Sequence, residues 1–183
     1  MASRAEYIPG PAFGARAEND GERWTLVLVR ELRHPPARVW EAITDPEHLR
    51  QWAPFDADRN LNAEGAAVEL TWTGTGRASE ATVTRAEAPT LLEIGDMRWE
   101  LEALGTDKRN PGTRLTLWHM IGGRFVTWGA AGWHICFEVL DRMLAGEPIG
   151  RIAGGDAMQF GFTRLVEEYT KEFGLENPSK EKS

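Results

Sequence analysis

The sequence predicts a single α+β domain, in which an antiparallel sheet of about seven strands wraps one long helix. Three observations lead to this fold class. Residues 66–121 alternate apolar and polar side chains, as antiparallel strands do when one face is buried. Two short helical patterns interrupt the chain between the first strand and this region. After residue 126 the apolar spacing becomes that of an amphipathic helix.

The first elements are one strand and two short helices. RWTLVLVREL, residues 23–32, is rich in β-forming residues and predicts the first strand. In HPPARVWEAIT the apolar residues recur on one helical face, and the two prolines suit a helix start. TDPEHLRQW predicts a second short helix, which Thr44 or Asp45 can cap. Trp40 lies on the apolar face of the first helix, so we expect it in the core.

The strands that follow are separated by turn residues. AVELTW and ASEATVTRAEA flank the turn GTG, and an Ala-Pro pair precedes TLLEIGD. MRWELEAL alternates apolar Met97, Trp99 and Leu101 with charged residues, and TRLTLWHMI is the last predicted strand. We expect the apolar side of each strand to face the helix.

The long helix is predicted from Thr127 to Leu144 and contains the stretch GWHICFEVLDRML. Its apolar residues, Leu140 among them, recur on one face with the period of an α-helix. A final helix is predicted between Asp156 as its cap and Gly174 as its stop, with Leu165 on its buried face. Both helices should therefore contribute to one core.

The ends of the chain differ in composition from the rest. Residues 1–21 are Pro, Gly, Ala and charged residues without periodicity, so we expect a mobile arm anchored at Tyr7 or Phe13. Residues 22–174 should form the single domain, and residues 175–183 should fray.

Charge and composition argue against several classes of protein. The formal net charge is -7 and the basic residues are scattered, which argues against a nucleic-acid binder. No apolar run approaches the roughly 20 residues that cross a bilayer. We therefore expect no membrane insertion and, because no signal-peptide core is present, a cytoplasmic location. The single cysteine excludes an internal disulfide and fits a reducing compartment.

Three motifs resemble one known family. VWEAITDPEHLRQWAP, GTRLTLWH and AAGWHICFEVLDRMLAG are similar to the signature of the activator of heat-shock protein 90 ATPase homologues. These homologues are a branch of the START and Bet v 1-like (SRPBCC) superfamily. The resemblance covers residues 24–173 and implies the helix-grip fold, in which a curved sheet grips the long helix and often leaves a cavity between them. It also implies a co-chaperone-like role.

A ligand pocket between sheet and helix is predicted from the distribution of small and aromatic residues. Gly129, Gly132 and Cys136 lie near the beginning of the inner helical face, where small side chains leave space. In the alternative interpretation, the glycines only allow helix and sheet to pack closely. The predicted pocket residues are Trp72, Trp99, Leu117, His119, Gly129, Gly132, Trp133, His134, Cys136, Phe137 and Leu140.

His119 and His134 are the candidates for chemistry. His119 should face inward, where it can bind a polar ligand group or act as a general base; a buried hydrogen-bonded histidine and an exposed one are the alternatives. His134 should make a hydrogen bond at the edge of its helix, unless it leans into the pocket mouth. Cys136 is expected in an apolar setting, where a thiol is inert.

Three functions remain open. The first is binding of a small hydrophobic or aromatic molecule in the cavity, and the second is a cyclase- or hydrolase-like enzyme that uses His119 or His134. The third is a co-chaperone-like interaction module, although the sequence indicates neither a protein partner nor a homodimer. No phosphate loop, HExxH, CxxC or GxSxG motif occurs, so we expect no cofactor and no metal, and no catalytic constellation can be assembled.

Overall fold

The computed structural model describes residues 3–176, in which one eight-stranded antiparallel sheet curves around a long helix. The strands are β1 Ala15–Asn19, β2 Trp24–Leu32, β3 Phe55–Ala57, β4 Ala67–Trp72, β5 Arg77–Glu87, β6 Leu91–Ile94, β7 Met97–Leu104 and β8 Gly112–Ile121. They lie in the order β1-β2-β8-β7-β6-β5-β4-β3. The predicted helix-grip α+β class is confirmed, with eight strands where about seven were expected.

Four helices complete the domain: α1 Pro36–Thr44, α2 Pro46–Trp52, α3 Val126–Leu144 and α4 Phe162–Phe173. The two short helices lie between β2 and β3, and Asp45 caps α2 by accepting from the amide of Glu47. The long helix α3 packs against β2, α1, α2 and α4. The final helix is shorter than predicted, because Asp156 lies in a separate 3₁₀ turn, Gly154–Gln159, and α4 begins only after Gly161.

Two short strands have no clear signal in the sequence. β1 is largely exposed and pairs with β2 alone, and β3 has only three residues, of which Phe55 pairs with Trp72. Both are edge strands, because they stand at the two ends of the strand order. A short edge strand depends on its neighbour more than on its own side-chain pattern.

Residues 3–19 pack against the domain, which differs from the mobile arm that composition indicates. Tyr7 is buried and donates its hydroxyl proton to Oε2 of Glu138 at 2.6 Å. Phe13, the other expected anchor, is half exposed. The contact with Glu138 is distant along the chain, so local composition does not reveal it. Of the tail that should fray, residues 177–183 lie outside the described part of the chain.

The core lies between the concave face of the sheet and α3. Trp40, Leu140 and Leu165 are buried, as the periodicity predicts. Along β8 the burial alternates strictly from Thr113 to His119, with every second residue buried. This alternation determines which side chains reach the candidate site.

Candidate ligand-binding site

Aromatic rings fill the centre of the domain. Trp52 of α2, Trp99 of β7 and the α3 residues Trp133 and Phe137 meet there, with ring centroids 5.4–6.4 Å apart. All four side chains are buried, and their edge-to-face and tilted contacts add to the stabilisation from burial. The predicted pocket residues Trp99, Trp133 and Phe137 therefore belong mainly to a packed core.

Three other predicted pocket residues also belong to the packed interior. Leu117 and Leu140 are fully buried and line neither of the two spaces described below. Gly129 faces the sheet closely, since an added Cβ would lie 2.7 Å from Cδ1 of Ile121. Gly129 therefore allows close packing of helix on sheet, which was the alternative interpretation, and does not line a cavity.

An apolar cavity of about 390 Å³ lies beside this core, between α3 and the 3₁₀ turn. Gly132 and Cys136 contribute the α3 side, and Trp128, Met158 and Phe162 are among the residues that complete the wall. The nearest atom to an added Cβ at Gly132 is Cε2 of Phe162, at 4.0 Å. This glycine, unlike Gly129, leaves open volume.

An open aromatic cleft of about 660 Å³ adjoins the apolar cavity. Trp72 of β4, His119 of β8 and Asp96 of the turn between β6 and β7 line it. The two spaces share Gly74 and Gly154 as lining residues. These glycines approach through their backbones, since an added Cβ at Gly154 would lie 3.0 Å from Cα of Gly74. The cavity and the cleft are therefore neighbouring spaces, separated in part by the backbones of these two glycines.

His119 presents a single N–H group to the cleft. The residue is 7% exposed, and its ring stacks on that of Trp72 with a centroid separation of 5.8 Å. Its Nδ1 accepts from Nε1 of Trp133 at 3.1 Å. Because an indole N–H can only donate, the neutral imidazole carries its proton on Nε2. Nε2 lies 3.6 Å from Oδ1 of Asp96, an ion-pair distance that is longer than a good hydrogen bond, so this N–H has no partner at hydrogen-bond distance among residues 3–176.

Asp96 makes the cleft negative beside this N–H. Burial acts to raise the pKa of Asp96, but the neighbouring His119 lowers it by more, so the pKa lies below its usual value. The carboxyl is therefore ionised near neutral pH. Glu80 also lines the cleft, whereas none of the lining residues is Lys or Arg. The cleft consequently disfavours anions.

His134 lies away from this site, and the hypothesis that it borders the pocket mouth does not fit its position. It is fully buried, lines neither the cavity nor the cleft, and bonds to two partners. Its Nδ1 lies 2.7 Å from the hydroxyl oxygen of Tyr169, and its Nε2 lies 3.0 Å from Oε1 of Glu138. Nη2 of Arg30 approaches Nδ1 at 3.3 Å. Because a guanidinium only donates, Nδ1 accepts and Nε2 donates to Glu138.

Glu138 connects the His134 cluster to the N-terminal segment. Its carboxylate accepts from the Tyr7 hydroxyl, from the amide of Gly10 at 3.0 Å, and from His134. Burial acts to raise the pKa of Glu138, but these hydrogen bonds outweigh it and hold the pKa low. In this cluster, Nε of Arg30 is the one buried side-chain atom without a partner among the described residues. The rest of the cluster is satisfied internally.

Cys136 is passive in this setting. Burial raises the pKa of its thiol to about 12, and the nearest polar partner of Sγ is the carbonyl oxygen of Ile152 at 3.9 Å. In residues 3–176, no three His, Cys, Asp or Glu side chains group as metal ligands. No helix in the same range is long and apolar enough to cross a membrane.

Sequence reasoning missed Trp52 and Asp96. Trp52 belongs to the predicted second helix, but its place among the core rings depends on how that helix packs. Asp96 reaches His119 through the register of β7 and β8, in which Met97 pairs with His119. The register of these two strands is the signal from which the position of Asp96 could have been predicted. The apolar–polar alternation within each strand does not determine that register.

Comparisons with known proteins agree with this fold. A protein-family model described as Activator of Hsp90 ATPase homolog 1-like protein matches residues 33–145. No curated protein matches the chain significantly. CalU16 from Micromonospora echinospora is 22% identical with a TM-score of 0.57, over 91% of this chain and 96% of that one.

Two further solved structures are similar in shape. A conserved protein of unknown function from Enterococcus faecalis has a TM-score of 0.63 at 13% identity, over 86% of this chain and 89% of that one. A protein from Bordetella parapertussis has a TM-score of 0.60 at 21% identity, over 96% and 97% of the two chains. At such identities these likenesses establish the fold alone.

Proposed function

Because the chain belongs to the family of Activator of Hsp90 ATPase homolog 1-like proteins, which have the SRPBCC fold, we propose that it binds a small hydrophobic or aromatic molecule. The observation that carries the proposal is the apolar cavity of about 390 Å³ beside Gly132 and Cys136. Spaces of a few hundred Å³ with apolar walls and few polar groups are typical of small-molecule sites. The adjoining cleft supplies those polar groups.

The ligand's apolar part would lie in the cavity and its polar end in the cleft. Burying about 150 Å² of apolar surface contributes roughly 4 kcal/mol before the cost of association. Trp128 and Met158 line the cavity and are 41% and 60% exposed, so apolar surface continues from the cavity to the outside. This continuity supports entry from the Trp128 side.

The cyclase- or hydrolase-like alternative has weaker support. A general base needs a free nitrogen lone pair near the substrate. Nδ1 of His119 is occupied by Trp133, and Nε2 carries the proton. In its neutral form this ring therefore donates a hydrogen bond to the cleft and does not remove a proton. Binding is the function that this geometry favours.

Two measurements test the proposal. Native mass spectrometry of freshly purified protein should detect a co-purified small molecule. Titration with naphthol, followed by tryptophan fluorescence, should then compare Gly132→Ala with Gly132→Leu. The alanine fits the open volume and should change affinity by less than about threefold, whereas leucine fills the cavity and should weaken binding by about tenfold or more. Equal affinity in a folded Gly132→Leu variant would contradict the proposal.

A further inference from the structure

We infer that the pair formed by Asp96 and His119 selects ligands that carry an uncharged hydroxyl group on their apolar body, and rejects carboxylates and phosphates. The inference rests on the proposed function, because it assigns the polar end of a ligand whose apolar part lies in the adjoining cavity. It follows from a donor, Nε2–H of His119, that has no partner at hydrogen-bond distance among residues 3–176, from the neighbouring acceptor Asp96, and from the charge of the cleft.

The donor is Nε2–H of His119, and its position is fixed. The ring is held on one face by stacking on Trp72 and at Nδ1 by the indole of Trp133. Phe55 in turn packs against Trp72 with ring centroids 5.3 Å apart. A donor held this firmly, in a residue that is more than nine-tenths buried, is satisfied by a ligand acceptor at little cost in side-chain entropy.

The acceptor is the carboxylate of Asp96, whose Oδ1 lies 3.6 Å from Nε2 of His119. A hydroxyl oxygen placed beside both groups accepts from Nε2–H while its own proton is donated to the carboxylate. A carbonyl or ether oxygen can only accept, and an ammonium group can only donate. Each of these leaves one of the two protein groups without a ligand partner, so the hydroxyl is the complementary partner.

Charge excludes anionic ligands. The lining of the cleft includes the carboxylates of Asp96 and Glu80 and no Lys or Arg. A carboxylate or phosphate near His119 would accept from Nε2–H but would lie next to the ionised Asp96. Like charges at such separations disfavour binding, and no cation among the lining residues offsets them.

The test uses three probes of nearly the same shape: naphthol, naphthalene and naphthoate. Isothermal titration of the full chain near neutral pH should show naphthol binding about tenfold or more tighter than naphthalene, because a hydrogen bond to a charged group contributes that much. Naphthoate should bind at least about tenfold more weakly than naphthol. In Asp96→Ala the advantage of naphthol over naphthalene should fall below about threefold, and naphthoate should bind more tightly.

Two further variants make the result unambiguous. Asp96→Asn keeps the size and an acceptor but removes the charge, so naphthoate should gain affinity while naphthol, which keeps a neutral hydrogen bond, should lose less affinity than in Asp96→Ala. Asp107→Asn removes a carboxylate from the loop between β7 and β8, lines neither space, and should leave all three affinities unchanged. Equal binding of naphthol and naphthalene to the wild type, or an unchanged order in Asp96→Ala, overturns the inference and leaves the proposed function intact. Failure of all three probes to bind instead overturns the proposed function.

Discussion

Two histidines are buried in the described part of the chain, His119 on β8 and His134 on α3, and they differ in whether both ring nitrogens are hydrogen-bonded. Both ring nitrogens of His134 are bonded, to Tyr169 and to Glu138. His119 has one bonded nitrogen, and its Nε2–H faces a cleft. A ring N–H that points into an open cleft has room for a partner from outside the chain, whereas a ring with both nitrogens bonded has none. The less buried histidine is therefore the better indicator of a binding site.

The largest expected effect is the difference in stability lost when either of two tryptophans of α3 is replaced by alanine. Trp133 is buried among the core rings and orients His119, whereas Trp128 is 41% exposed beside the cavity. Trp133→Ala should lower the free energy of unfolding by about 3–5 kcal/mol. Trp128→Ala should lower it by less than about 1 kcal/mol. Urea unfolding measured by circular dichroism gives both values, and similar losses would show that the aromatic centre is not the core.

The next effect compares the carboxyl partners of the two histidines. Glu138→Gln replaces a carboxylate that accepts from Tyr7, Gly10 and His134, and should cost about 1–3 kcal/mol of stability. Asp96→Asn changes a carboxylate that is 53% accessible, and should cost less than about 0.5 kcal/mol. Urea unfolding of the two variants shows whether the Glu138–His134 hydrogen bonds stabilise the fold more than the Asp96–His119 contact does. A larger loss of stability in Asp96→Asn than in Glu138→Gln would mean that the His119 site, and not the His134 site, has the structural role.

The pH dependence of stability should also reveal the contribution of the Glu138 carboxylate. The folded-state pKa of Glu138 lies below its ordinary value of 4.5, so its contribution is complete above that value and is lost as pH falls through the folded pKa. The free energy of unfolding of the wild type should therefore fall below about pH 5. In Glu138→Gln this fall should be shallower, and the gap between the two proteins should narrow in acid. Parallel curves would mean that Glu138 does not titrate with folding.

The smallest effect is expected for chemical labelling of Cys136, whose thiol lines the cavity. With its pKa raised from 9.0 to about 12, the Cys136 thiol has roughly a thousandfold smaller thiolate fraction near neutral pH than an ordinary thiol. Iodoacetamide should leave the native protein unmodified over hours and label it readily in urea. Mass spectrometry measures both, and rapid labelling of the native state would make Cys136 a reactive group.

The sequence indicates the main helices and most strands because each has a local pattern. It does not distinguish Gly129 from Gly132, which lie one turn apart in the same helix, although one packs on the sheet and the other lines a cavity. That difference depends on the exact rotation of α3 against the sheet. The partners of His134 and His119 likewise come from distant segments, so composition and periodicity carry no information about them.

The N-terminal segment has a consequence for synthesis of the chain. Arg4 donates to the carbonyl oxygen of Gly150 at 3.1 Å, and Arg164 donates to that of Pro9 at 2.6 Å. At about 5–20 residues per second, the ribosome needs roughly 7–30 s to make the chain between such partners. For the first part of that interval the apolar strand β2 also lacks β8, its neighbour in the sheet. A nascent chain of this protein therefore exposes aggregation-prone surface until nearly the whole domain has emerged.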